Sequence, residues 1–188
     1  MDLGRLALRA TVGPLMIGHG TQKLFGWFGG HGPEGTGGAF EGMGLRPGKR
    51  HARAAGWAET AGGALFTVGA LTPVASALIS GVMLTAVRTV HLKNGPWNTS
   101  GGYEYNVALI GATLALTEVG PGKPSVDGAL FPSLKGSGLA VLALAAAAAA
   151  SWLATSEAAQ QTLAPEESTE HEPARRFTRE EEQVAQNA

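Results

Sequence analysis

Cysteine is absent from this chain of 188 residues. That excludes disulfides, cysteine-ligated zinc or iron–sulfur sites and any dithiol redox centre within it, and it leaves the redox compartment unreadable. Charge is also scarce, with 15% of residues Asp, Glu, Lys or Arg, against roughly 25% in soluble globular chains. The 14 basic and 15 acidic residues nearly cancel, so there is no electrostatic case for nucleic acid as a partner. Glycine is in excess instead, at 28 residues, about twice its usual share. The mean hydropathy of +0.06 averages long apolar runs with a hydrophilic tail and glycine-rich loops, and so understates the runs.

A hydrocarbon core about 30 Å thick is crossed by roughly 20 mainly apolar helical residues. Leu3 to Phe28 meets that length, with Arg5 and Arg9 at its entrance. A cleaved signal peptide has the same outline, but His19, Gln22 and Lys23 stand where its small-residue cleavage site belongs, so a first span is expected. Trp27 and Phe28 after it are interfacial aromatics of the kind found where a span meets water. Residues 29–52 form a long loop. Gly30, Gly32 and Gly35 spell GxGxxG there, but the run follows a helix rather than a strand and so lacks its dinucleotide-binding context. Thr36 is suited to cap a short turn through Met43, with Phe40 directed back toward the bilayer.

Arg53 to Leu71 is expected as the second span, containing Glu59 and a small-residue face of Gly62, Gly63, Gly69 and Ala70 that permits close helix approach. Thr72 and Pro73 make a tight turn. The third span, Pro73 to about Leu92, carries Gly81, Thr85, Arg88 and His91 as one polar stripe. A loop of turn formers follows with Trp97 as a further interfacial aromatic; its Asn98-Thr99-Ser100 fits a glycosylation pattern too short to carry weight. Glu104 to about Val119 is a fourth span, short by roughly a turn. Residues 137–154, rich in alanine, form a fifth. The fold expected is all-α: a transmembrane four-helix bundle in residues 1–130, an added apolar helix in 131–154, and a polar, mostly disordered tail in 155–188, where Thr178 and Glu181 make a capping-box pattern.

Threading these spans places the end of the first, the start of the second, the end of the third and the start of the fourth at one membrane face. His19, Gln22, Lys23, Glu59, Arg88, His91, Glu104 and Asn106 gather there, and the opposite span ends show nothing comparable. Ionisable groups inside a span cost at least about 2.5 kcal/mol on insertion scales and therefore seek partners. Glu59 is expected to pair with Arg88 or Lys23, and Glu59 and Arg88 are read as members of a buried ion pair. Such a pair also serves simply to fix helix register, and Lys23, Arg88 and His91 lie near enough to helix ends to snorkel. His19 and His91 have no spacing signature of haem or metal and are read as hydrogen-bonding groups, with no metal expected. Glu41, Ser100 and Asp127 have no evident catalytic partners. Loop one carries Arg46, Lys49, Arg50 and Arg53 and loop three Lys93, against Arg5, Arg9, Lys123 and Lys135 at the other face, an excess too slight to fix orientation.

The run from Gly18 to Gly30, GHGTQKLFGWFGG, followed by GPEGTGGAFEGMG, by Glu59 in the second span and by NTSGGYEYN into the fourth, resembles the DoxX family over roughly residues 3–130. The resemblance implies a multi-pass protein of a bacterial or archaeal plasma membrane with a four-helix core. Some members are subunits of thiosulfate:quinone oxidoreductases, and others are partners of superoxide-handling and sulfurtransferase proteins; no catalytic residue carries over. The expectation is a membrane subunit of a quinone-linked redox complex. A quinone would be hydrogen-bonded by His19, Gln22 or His91, with Glu59 as proton relay and Trp27 and Phe28 flanking the ring. Lacking cysteine, the chain would need an oxidoreductase partner for sulfur chemistry. The alternatives are a membrane scaffold that recruits soluble partners and a small transporter using the same polar cluster.

Overall fold

A computed structural model describes residues 2–156; the acidic tail and its capping-box pattern lie outside them. The described residues contain no strand. Seven α-helices follow one another: α1 (Leu3–Phe25), α2 (Gly32–Gly42), α3 (Gly48–Val68), α4 (Thr72–Ala86), α5 (Glu104–Val119), α6 (Val126–Leu130) and α7 (Ser137–Thr155). Two of the apolar helical stretches, Thr72–Asn94 and Ser137–Thr155, are long and apolar enough to cross a membrane, and most of each is unburied. A core helix of a water-soluble protein would instead be covered.

Bare backbone sets the tightest packing. α1 and α3 run antiparallel with Gly13 against Gly63 and Gly20 against Gly56. A Cβ on Gly63 would stand 2.6 Å from the Gly13 carbonyl, and one on Gly20 would stand 2.6 Å from the Gly56 carbonyl. The seven-residue spacing of each glycine pair matches two helical turns, so both contacts fall on one face. Of the small-residue face expected in the second span, only Gly63 belongs to this seam. Gly62 meets Leu78 and Ile79 of α4 instead, and Gly69 ends α3 in a left-handed conformation at φ 63°.

α4 is the central helix, packed against α3, α5 and α7. Its buried face combines core residues Ala75, Ile79 and Met83 with hydroxyls. Ser76 Oγ donates to the Thr113 carbonyl at 2.8 Å and lies 2.7 Å from Thr117 Oγ1, while Ser80 Oγ and Thr113 Oγ1 are 3.2 Å apart. This ladder satisfies every hydroxyl it buries between α4 and α5, as a dry seam requires.

Element boundaries differ from expectation where glycine and proline act. The second span is a helix from Gly48 rather than Arg53, and it stops at Val68 because Gly69 turns left-handed. The first loop holds an 11-residue helix, α2, entered through Pro33 at its first turn, in place of a short turn from Thr36. The third helix is α-helical only through Ala86; Val87–His91 widens to a π turn and Leu92–Asn94 tightens again. The fourth helix spans Glu104 to Val119 as the sequence indicates.

Candidate functional site

Glu59 is 3% exposed at the middle of α3. Its carboxylate is met by Lys23 Nζ at 2.6 Å, and the same ammonium donates to the His19 carbonyl at 3.3 Å. Of the two partners expected for Glu59, Arg88 and Lys23, the fold therefore supplies Lys23. Arg88 lies on the π turn, exposed and without a salt bridge among the described residues. A π turn advances each residue through a smaller angle than an α turn, so the polar stripe of Thr85, Arg88 and His91 loses register after Ala86. Arg88 rotates outward and His91 inward.

Beside Glu59 lies a cavity of about 220 Å³. Val12, Leu15, Met16 and His19 of α1 line one side, and Tyr105, Asn106 and Leu109 of α5 the other. Met83 and Ala86 of α4, His91 of the π turn and Glu59 of α3 complete it. α1 and α5 barely touch, so the cavity opens sideways between them, where Leu15, His19 and Tyr105 are exposed. Four of the eight expected site residues, His19, Glu59, His91 and Asn106, thus share one cavity, and Lys23 joins through its ion pair.

The remaining three do other work. Gln22 Nε2 donates to the Phe28 carbonyl at 3.3 Å, anchoring the aromatic turn. Glu104 Oε1 accepts from the Asn98 amide at 2.9 Å, closing the loop before α5. Arg88 faces away. Trp27, Phe28 and Trp97 are exposed and none lines the cavity, so Trp27 and Phe28 do not flank a ring bound there. Trp27 packs instead on Phe25 at 5.2 Å between ring centroids, and Phe25 on Trp57 at 6.5 Å.

Two cavity groups have hydrogen-bonding capacity to spare. Asn106 Nδ2, buried, is spent on Met83 Sδ at 3.4 Å, and a thioether sulfur is a weak acceptor. His91 Nδ1 lies 2.7 Å from the Gly101 carbonyl. A carbonyl only accepts, so Nδ1 donates to it, and no hydrogen bond of Nε2 occurs among the described residues. Tyr105 and Met83 were not singled out by sequence; the YEYN run was the signal for the former.

Glu59, Met83 and Ala86 also border a second, mostly apolar cavity of about 360 Å³ beneath α2, lined by Phe40, Met43, Leu45 and the end of α7. The Lys23–Glu59 pair stands between the two spaces.

The opposite ends of the helices are not empty of polar chemistry, contrary to expectation. Arg9 is buried there, donating through Nη1 to the Thr67 carbonyl at 2.9 Å and through Nη2 to the Pro124 carbonyl. Asp127, likewise buried, accepts from the amides of Leu71 and Thr72, each at 2.8 Å, and from Thr72 Oγ1 at 2.6 Å. It caps α4 from 55 residues away.

These features define an all-helical, membrane-type protein with a polar cavity set among its helices. Residues 4–92 match the DoxX family model, so that segment is a DoxX domain. The match runs from α1 through the π turn; α5 and α7 lie beyond it. Neither the curated proteins nor the solved structures gave a match.

Proposed function

We propose that this is a multi-pass plasma-membrane protein, a four-helix transmembrane bundle of α1, α3, α4 and α5 with α7 as a fifth span, serving as the membrane subunit of a quinone-linked redox complex. Exposed Leu15, Trp57, Val74, Val107, Val141, Leu142 and Trp152 are distributed over all five helices, as a lipid-facing surface requires and a water-facing one does not. The corresponding units are residues 1–130 for the bundle, 131–154 for the added helix, and the tail beyond.

The observation that carries the functional reading is the sideways-opening cavity of His19, Glu59, His91 and Asn106. At about 220 Å³ it falls below the roughly 300 Å³ floor of sites for drug-sized ligands. It therefore suits a ring-sized head group whose tail stays in lipid. Its donor set fits a quinone: Asn106 Nδ2 can leave its weak sulfur acceptor for a carbonyl, His19 at the mouth can donate to the other, and the apolar walls match the ring. A bound quinone supplies reversible uptake of electrons and protons. The chain's own groups hold the ring, exclude water and keep a carboxylate beside it; His91 and Glu59 would relay to the ring, from solvent, the two protons that a quinone takes up with two electrons, and Lys23 holds Glu59 in position. Electrons come from an oxidoreductase partner.

A transporter reading has one observation in its favour, the second cavity across the Lys23–Glu59 pair. Gentle purification from native membranes, with quinone quantified in the lipid extract and native mass spectrometry of the protein, separates the two. Quinone should co-purify, and Asn106→Leu should lower its retention at least about tenfold, at about 1.4 kcal/mol per decade, without lowering membrane abundance. No quinone on the wild-type protein, and none taken up on addition, would overturn the redox reading.

A further inference from the structure

At the end of the bundle remote from Glu59, a separate cavity of about 190 Å³ lies between the start of α1 and the loops around α6. Three cationic side chains from three segments converge on it: Arg5 of α1, Lys123 and Lys135. Asp2 Oδ2 stands 3.9 Å from Arg5 and accepts from the Lys123 amide at 2.9 Å. The other carboxylate of the lining, Asp127, is turned away to the amides of Leu71 and Thr72 and to the Thr72 hydroxyl. Lys123 and Lys135 form no ion pair among the described residues. Among the described residues the lining therefore sets three cationic side chains against two carboxylates, which leaves it net positive.

The loop is built to let these side chains close in. Gly120 and Gly122 are left-handed, at φ 84° and 74°. A Cβ on Gly120 would lie 2.8 Å from Lys135 Cδ, and one on Gly122 would lie 3.0 Å from Arg5 Cδ. Bare backbone is what brings the stems together. Next to this charge, Leu130 and Phe131 are 67% and 51% exposed, an apolar rim that a free anion in water has no use for. Cationic cavity and apolar rim sit where the helices end, which in a bilayer is the depth of the phosphate groups.

We propose that this cavity is a binding site for a phosphate oxyanion, carried by the head group of an anionic phospholipid whose chains lie along Leu130 and Phe131. The proposal rests on the membrane-crossing part of the reading above and not on the quinone. The test uses the full chain in detergent micelles. Phosphatidylglycerol and phosphatidylcholine are titrated separately and retained lipid is counted by native mass spectrometry; a parallel titration uses inorganic phosphate at constant ionic strength. Wild-type protein should retain phosphatidylglycerol preferentially. Each cation near an anionic head group is worth about fivefold in affinity, so Lys123→Gln with Lys135→Gln should weaken retention about twenty- to thirtyfold. The matched pair Arg88→Gln with Lys93→Gln at the other end should change it little. Competition by inorganic phosphate, sensitive to the same two lysines, would support the oxyanion site and identify a free source as sufficient. Equal retention of the two lipids, or equal losses in the two double variants with helical circular dichroism unchanged, would overturn it.

Discussion

Lys23 and Glu59, 36 residues apart, meet at 2.6 Å across the seam between α1 and α3. The contact is possible because the same two helices touch backbone to backbone at Gly20 and Gly56, one turn away from each charged residue. Close approach and charge pairing are thus one design: glycines bring the helices near enough for the side chains of Lys23 and Glu59 to bridge them.

Removing one partner should be costly. Lys23→Met leaves a buried carboxylate unpaired and should destabilise the protein by about 3–5 kcal/mol, whereas Lys23→Met with Glu59→Leu should recover most of that loss. Arg88→Gln should stay within about 0.5 kcal/mol of wild type, as surface substitutions do. Thermal unfolding of the three variants in one detergent checks the order; an Arg88 effect as large as that of Lys23 would disprove the pairing.

The glycine seam makes a sharper prediction. Gly63→Ala and Gly20→Ala place a methyl against backbone rather than against a flexible side chain, and overpacking of that kind costs about 1–3 kcal/mol or more. Gly18→Ala and Gly111→Ala, where a methyl would meet nothing within 4 Å, should be neutral or stabilising by up to about 1 kcal/mol, since alanine favours helix over glycine. Comparing the four midpoints decides whether the α1–α3 contact is as close as described.

Asp127 should matter to α4 although it lies far along the chain. Asp127→Ala strands the Leu71 and Thr72 amides and should cost about 2–4 kcal/mol, given about 1–3 kcal/mol for each buried unsatisfied donor. Asp127→Asn keeps one acceptor oxygen and should cost less. Hydrogen exchange should report faster opening at the first turn of α4; unchanged protection at Leu71 and Thr72 would show that the cap contributes nothing.

Much of this molecule was legible from residue order. Apolar runs placed five long helices, and the GHGTQKLFGWFGG run pointed to the family. Alternating direction of the helices brought His19, Glu59, His91 and Asn106 to one end. These follow from local patterning, because helical periodicity and chain direction need no knowledge of neighbours. Two outcomes were not readable in that way. The π turn that exposes Arg88 depends on how the end of α4 meets the loop before α5. Whether Trp27 and Phe28 reach the cavity depends on how the chain turns after Gly26.

The two buried groups at the far end, Arg9 and Asp127, read as an entrance charge and a loop acid until the fold surrounds them with the carbonyls of Thr67 and Pro124 and the amides of Leu71 and Thr72. Sequence by itself determined which segments are helical and apolar and which end holds the polar groups, since those are properties of each segment. Only tertiary structure decided which lysine or arginine Glu59 meets and where a cavity remains, because both depend on the rotation and separation of helices far apart in the chain.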